Sequence, residues 1–461
     1  MKKLTAILIT AFILILSVPF LSASAETELE TAIRSALEQH KSSLDISKYN
    51  YDEDEAAEVF FRFLLNAPEL FYSDAAIDFD MAKDNVHVSK YEFVYLMSAS
   101  EAKTATVKYN EKLDEIISYM PDDLDDFGKI LWIHNYICEN FEYDDDEEIY
   151  DAYNMLMQGK GVCQGYTLLF DALLERVGIN SRYVDSEEIN HIWNIVELDG
   201  EWYYVDTTWD DPEFCAYGEV YYDYFMLSED AFFADGEHGD DYVAEHDCDD
   251  YKYDDCGWRM TASAMAPIGT DYYYTIELDM YSFDRDTCKE EIVYSLNPEF
   301  CVTDYAEFEN DYFMGFGSLY GKLLFGVTDG IVAMDPETFE TTTLYQMPEG
   351  AGGVISSHYV ADTGYYALCA ADDEDYDHVT YGSFKIDLPD PSLAYKPGDV
   401  NENGEIDAAD YLLLKRAYFG TYELSKTQTL AADLNNNKII DTRDYALLKR
   451  AVLGSYVIPK K

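Results

Sequence analysis

Residues 191–210 read HIWNIVELDGEWYYVDTTWD, two largely apolar runs meeting at Asp199 and Gly200, and their pairing decides the fold of the chain's central part. Asp-Gly between two such runs is a two-residue hairpin signal, because both residues tolerate the left-handed backbone of a type I′ turn. With Leu198 opposite Glu201, partners sum to 399, so His191 faces Thr208 and Trp193 faces Asp206. Side chains alternate along a strand, which puts His191 and Asp206 on one side as diagonal neighbours, about 7–8 Å apart before the side chains reach. That separation suits an imidazole held by a carboxylate.

Working upstream, residues 159–166 read GKGVCQGY. After Cys163, the residues Tyr166, Leu169, Phe170, Leu173, Leu174 and Val177 recur at helical spacing until Gly178. The pattern predicts a helix with Cys163 in its first turn. Orphan amides and the positive end of the helix dipole favour a thiolate there, where cysteine pKa values can fall from about 8.5 to about 3.5–7.5. Gly159, Gly161 and Gly165 are expected to let a substrate backbone approach. Cys163, His191 and Asp206 thus form a candidate triad: the sulfur attacks, the imidazole shuttles the proton, the carboxylate fixes the tautomer. An earlier helix, from Asp126, carries Phe127, Ile130, Leu131, His134, Ile137, Cys138 and Phe141 on one face, so His134 and Cys138 read as packed core residues.

GVCQGY around Cys163, HIWNIVELDGEWYYVD from His191 and DTTWD from Asp206 resemble the transglutaminase-like superfamily, over residues 126–258. NAPELFY at 66–72 and YFMLSED at 224–230 also resemble segments flanking this module in bacterial members. The resemblance implies a papain-like transglutaminase core and acyl transfer from a peptide or glutamine amide through a thioester, with no cofactor. It also implies a protein or peptide substrate and an oxyanion donor in the Cys163 amide.

A second signal lies near the C-terminus. Residues 399–420 and 433–454 are 22-residue copies with 13 identities, each an acidic loop followed by an amphipathic helix. Oxygen-bearing side chains recur at loop positions 1, 3, 5, 9 and 12: Asp399, Asn401, Asn403, Asp407 and Asp410, then Asp433, Asn435, Asn437, Asp441 and Asp444. Position 7 offers the carbonyl of Glu405 or Ile439, completing the oxygen set that calcium takes on a 12-residue loop, and two such loops predict two Ca2+. Position 6 is Gly404 in the first loop and Lys438 in the second. The repeats resemble type I dockerins over 398–456, which implies calcium-dependent folding and docking onto the cohesin domain of a scaffoldin in a cellulosome. The family's cohesin contacts fall here on Ala408, Ala409, Thr442 and Arg443, with Leu414, Lys415, Lys449 and Arg450 nearby.

The remainder fills in the architecture. Lys2 and Lys3, a short apolar run and Ala23-Ser-Ala25 read as a secretory signal over residues 1–25, leaving no membrane segment after its removal. Residues 26–125 form an N-terminal α/β region, with helices expected at 27–44, 53–66 and 101–119 and a strand at 88–97, ahead of a catalytic core at 126–260. Residues 261–388 are rich in short Tyr, Phe, Val and Thr runs at spacings reminiscent of propeller blades, an all-β accessory domain. Pro389, Pro391 and Pro397 mark a linker at 389–397, before the dockerin. The fold class is α+β: a papain-like transglutaminase core, an all-β accessory domain and a small all-α calcium-binding dockerin.

Ninety-two Asp and Glu against 31 Lys and Arg give a formal charge of −61, which argues against nucleic-acid partners. Among eight cysteines, Cys248 and Cys256 are the expected disulfide. Together these features describe a secreted, extracellular, cellulosome-associated cysteine enzyme. The rival reading is a non-catalytic binding component with a vestigial triad.

Overall fold

The computed structural model describes residues 4–5, 27–211, 220–261, 263–297, 314–319, 321–327, 330–346, 353–360, 363–370, 380–387, 396–401, 403–422, 424–434, 439–453, 455–456 and 458. Almost all of the expected signal segment, most of the linker, and Asn435 and Asn437 of the second acidic loop lie outside them.

Three N-terminal helices, α1 (Glu28–Glu38), α2 (Glu53–Leu65) and α3 (Ala99–Ile117), each start on a capping box, at Thr27, Asp52 and Ser98. Helix α1 ends six residues short of the expected 44. His40 adopts a left-handed φ of 52°, and Ser43–Asp45 (β1) continues as a strand paired with β3 (Val88–Tyr95), which also pairs with β2 (Ser73–Met81).

The central part is built on α4 (Asp126–Asn140), α5 (Ala152–Gln158) and α6 (Cys163–Arg176) against an antiparallel sheet. That sheet comprises β4 (Ser181–Ser186), β5 (His191–Leu198), β6 (Glu201–Val205) and β7 (Phe225–Leu227), in order β7-β6-β5-β4. The β5–β6 register runs Leu198↔Glu201 to Asn194↔Val205, with positive φ at both Asp199 and Gly200, as the Asp-Gly turn requires. Helix α6 is stitched to β5 at mid-length, where Thr167 Oγ1 donates to the Ile192 carbonyl (3.0 Å) and Asn194 Nδ2 to the Thr167 carbonyl (3.2 Å).

One hydrophobic core runs from Leu29 on α1 through Phe60, Tyr109, Phe127 and Tyr166 to Phe283, so the N-terminal helices and the central sheet share a single interior. Residues 266–295 form a four-stranded meander that closes the far side of that interior. Its strand Asp271–Ile276 is buried on both faces: Tyr272 and Tyr274 enter the main core, while Tyr273 packs with Phe316, Phe325 and Met334 of the next meander, within 314–346. Three further strands follow in 353–387, so the described strands from Ala266 onward form three successive antiparallel sheets.

Residues 389–461 form a separate compact unit. Its helices Ala408–Tyr418 and Thr442–Val452 begin at Asp407 and Asp441, and its small core gathers Val400, Leu414, Ala432, Leu434 and Leu448.

The expected Cys248–Cys256 bond is absent. Both thiols are free and occupy different clusters, Cys248 beside Trp193 and Tyr204, Cys256 in the main core next to Cys288. Among the described residues no helix is long and apolar enough to cross a membrane.

Candidate active site and acidic-loop module

Helix α6 opens at Cys163, preceded by Val162 in extended conformation with no side chain capping the first turn. The leading amides are therefore left for other acceptors, at the end of the helix where its dipole is positive. The turn is held from outside by the Val162 amide donating to the Ile149 carbonyl (2.9 Å) and by a short parallel bridge of Glu142–Tyr143 with Lys160–Gly161. Cys163 is a free, partly exposed thiol, in contrast to the buried Cys138.

Two of the glycines expected to admit a substrate backbone also serve packing. A Cβ on Gly161 would stand 2.9 Å from Met155 Sδ and one on Gly165 3.1 Å from the same atom, while Gly159 is the left-handed C-cap of α5. The two glycine faces are the slot in which Met155 of α5 lies against α6.

His191 begins β5 opposite Ser186, not opposite Thr208. Strand β6 stops at Val205, and the Asp206 amide turns to the Tyr224 carbonyl (3.0 Å), so the last three hairpin pairs of the expected register do not form. The chain curls because Asp206 Oδ1 accepts from the amides of Thr208 (2.9 Å) and Trp209 (3.2 Å), an Asx-type turn that competes with the ladder. His191 and Asp206 meet all the same, Nε2 to Oδ2 at 2.5 Å. Because Nε2 is committed to the carboxylate, the contact of His191 with the Cys163 thiol falls to Nδ1. Trp209 and Trp193 stack on the imidazole at 5.0 and 5.7 Å between centroids.

Burial alone would depress the His191 pKa, but the Asp206 carboxylate and the neighbouring thiol outweigh it and raise the imidazole to about 10. Burial likewise works against the Asp206 carboxylate, and its hydrogen bonds and attraction to the two histidines hold it well below its ordinary range. The second of those histidines, His238, escapes a reading based on the hairpin alone; its Nε2 lies 3.0 Å from Asp206 Oδ2.

His134 is buried as expected and forms a second imidazole–carboxylate pair, Nε2 to Asp210 Oδ2 at 2.9 Å. Burial pushes Asp210 up to about 6. Cys138 is also buried, its thiol 3.6 Å from the Thr207 carbonyl.

In the C-terminal unit, Asp399 accepts from the amides of Asn403 (3.0 Å) and Gly404 (2.6 Å), and Asn403 Oδ1 from Glu405 (2.8 Å). Asp410 is fully buried and accepts from the amides of Asn401 (2.9 Å) and Asp407 (2.8 Å). The loop offers two buried carboxylates and the amide oxygens of Asn401 and Asn403; among the described residues no lysine or arginine forms a salt bridge with Asp399 or Asp410, and Lys396 Nζ donates to the Gly404 carbonyl instead (2.6 Å). This donor set fits a hard, oxygen-seeking cation. In the second loop Asp444 is equally buried, accepting from Leu434 (2.9 Å) and Asp441 (2.9 Å). The partner positions divide: Ala408, Ala409, Lys415, Thr442, Arg443, Lys449 and Arg450 are exposed, whereas Leu414 is fully buried in the unit's core and cannot contact a partner. Leu412, two residues earlier on the same helix, is the exposed leucine.

Comparison with known proteins agrees with this division. The transglutaminase-like superfamily matches residues 115–207, and the dockerin type I domain matches residues 397–453. A kyphoscoliosis peptidase of Mus musculus is 27% identical over 160 residues, 29% of this chain and 24% of that one. The Homo sapiens protein is 27% identical over 146 residues, 26% and 22% of the two chains, so the chain spans about a quarter of these relatives. Two solved structures are similar at a TM-score of 0.20: a candidate cysteine protease from Cytophaga hutchinsonii (21% identity, 22% of this chain, 37% of that one) and a TGase (15%, 34% and 49%). Type I dockerins generally bind calcium and imply a cohesin partner, as transglutaminase-like domains imply a protein substrate. The chain therefore carries a transglutaminase-like core at 115–207 and a type I dockerin at 397–453, the combination of a cellulosome-type protein built like a cysteine enzyme.

Proposed function

We propose that the chain is a secreted, extracellular cysteine enzyme that cleaves or transfers peptide or glutamine amide bonds through a thioester on Cys163, docked to a scaffoldin. The observation that carries this reading is the thiol–imidazole–carboxylate series: a half-exposed Cys163 at an uncapped helix start, His191 against it, and Asp206 on the far nitrogen of that ring. The Cys163 sulfur attacks the carbonyl carbon of the amide, and the first-turn amide of α6 receives the charge that develops on oxygen. As the C–N bond breaks, the imidazolium proton passes from His191 to the leaving amine. Water or a second amine then takes the acyl group from sulfur, giving its proton to His191 and restoring the thiolate–imidazolium pair. Asp206 keeps the ring oriented throughout. Water is the favoured acceptor, being the abundant one outside a cell.

Calcium supplies no chemistry to this reaction. It would be held by Asp399, Asn401, Asn403, Asp407, Asp410 and the Glu405 carbonyl, and by Asp433, Asn435, Asn437, Asp441, Asp444 and the Ile439 carbonyl, ordering the surface that meets the cohesin. Ala408, Ala409, Thr442 and Arg443 are central to that surface, flanked by Lys415, Lys449 and Arg450.

The test is incubation of the purified chain with casein and a fluorescent primary amine. Casein fragments that disappear in Cys163→Ala support hydrolysis. Amine incorporation without fragments moves the reading to crosslinking. Neither product, with Cys163 labelled by iodoacetamide no faster than the other thiols, overturns the enzymatic reading in favour of a binding component.

A further inference from the structure

The segment Asp235-Gly-Glu-His-Gly-Asp-Asp241 is constrained far more than an exposed loop of polar residues needs to be. Gly236 and Gly239 both take left-handed backbone, at φ 76° and 75°. A Cβ on Gly239 would stand 2.7 Å from Ser186 Oγ, so only glycine allows this approach. Asp235 caps the turn internally, accepting from the Glu237 amide at 2.9 Å and from Tyr224 Oη at 2.7 Å. Asp241 pins the other end to the β4–β5 connection, accepting from the amides of Glu187 (3.1 Å) and Glu188 (3.0 Å) and from the hydroxyl of Ser186, the residue that pairs with His191.

What these constraints deliver is His238. It is fully buried among Trp209, Phe232, Tyr224 and Trp193, with ring centroids at 4.0, 4.2, 4.6 and 5.1 Å. Its one hydrogen bond among the described residues runs from Nε2 to Asp206 Oδ2, while Nδ1 is buried without a partner. Burying a ring nitrogen unpaired is costly, and a ring placed only to fill space would need no nitrogen at all.

We infer that His238 is a positioning residue for the reaction, locking the Asp206 carboxylate so that it in turn aligns His191. The inference rests on the reading of Cys163 as nucleophile. Asp206 takes four donors: Thr208 and Trp209 amides on Oδ1, His191 and His238 on Oδ2. The first two leave the carboxylate able to rock about its Oδ1 side. A second donor on Oδ2, beside His191, restricts that freedom, so the imidazole meets a held acceptor instead of a moving one. Asp210, a carboxylate on which the Asp206 charge acts, is itself engaged by His134 and the Tyr224 amide.

The experiment uses the full chain and follows iodoacetamide labelling of the Cys163 peptide by mass spectrometry between pH 5 and 9. Four variants are compared: His191→Ala, His238→Phe, His238→Gln and Asp241→Ala. His238→Phe keeps the ring volume without a donor and is expected to slow Cys163 labelling at neutral pH about tenfold and displace its pH profile, the size expected for losing one hydrogen bond to a charged group. His238→Gln, whose amide still donates, should recover most of the rate. Asp241 is exposed, and its change to Ala should slow labelling while the melting temperature stays near that of the unmodified chain, which decides the matter even if His238→Phe does not fold. Labelling by His238→Phe and Asp241→Ala at the unmodified rate and profile, while His191→Ala is slow, overturns the role of His238 alone. If His191→Ala also labels at the unmodified rate, the nucleophile reading itself falls.

Discussion

At the scale of the residue, the His191–Asp206 pair sets how the protein should respond to pH. The imidazole titrates at 6.5 when free and at about 10 in the fold. A base whose folded pKa is raised contributes stability that is complete below the free value and is lost as pH climbs through the folded one. The Asp206 side has the opposite sign: its depressed pKa contributes above the free value of 3.8 and fails only in strong acid. Urea denaturation of the unmodified chain and of His191→Gln should therefore differ most near pH 6 and converge by about pH 10.5. A gap that widens with rising pH would mean that His191 is held uncharged. The sequence pointed to the pair because the Asp-Gly turn brings the two strands side by side, although the ladder stops at Val205 and Asp206 reaches His191 from the turn that follows. His238 was not legible there, since it arrives from a loop 32 residues beyond Asp206 and no periodicity links them.

At the scale of the element, the start of α6 is made by its neighbours. The helical pattern from Tyr166 to Leu174 and the position of Cys163 in the first turn could be read directly from spacing. The purpose of the glycines could not, because it depends on Met155 lying across two of them from another helix. Gly161→Ala should cost about 1–3 kcal/mol, the usual price of overpacking a filled site. In a Met155→Ala background the same change should cost markedly less, which thermal melts of the two singles and the double would measure; equal costs in both backgrounds would refute the slot. The hairpin shows the complementary limit. Its turn and first five pairs followed the sequence, but the ladder ended where Asp206 found amides of its own to accept from, a local competition that strand alternation cannot foresee.

At the scale of the whole molecule, the chain divides into an enzyme-like body and a small unit built on two acidic loops with buried carboxylates. Chelating calcium with EDTA should raise amide exchange across 397–453, above all at Gly404 and Asp407, whose amides donate to Asp399 and Asp410, and leave iodoacetamide labelling of Cys163 unchanged. Loss of labelling on chelation would tie the cation to the thiol chemistry. The repeated loops were legible because periodic oxygens are a sequence property; Leu414 was misread as a contact because its place in the interior depends on the opposing helix.

The shared interior of the body carries a last consequence, for where the chain can be cut. Tyr272 and Phe283 of the first meander pack edge-on to Phe127, at 5.0 Å, and near Trp258, at 6.2 Å, and Arg285 grips both Asp125 and Asp199 at the hairpin tip. A fragment ending at Met260 would leave a bare aromatic wall behind the nucleophile and collect in inclusion bodies, whereas one extended through Ser295 would carry its own cover.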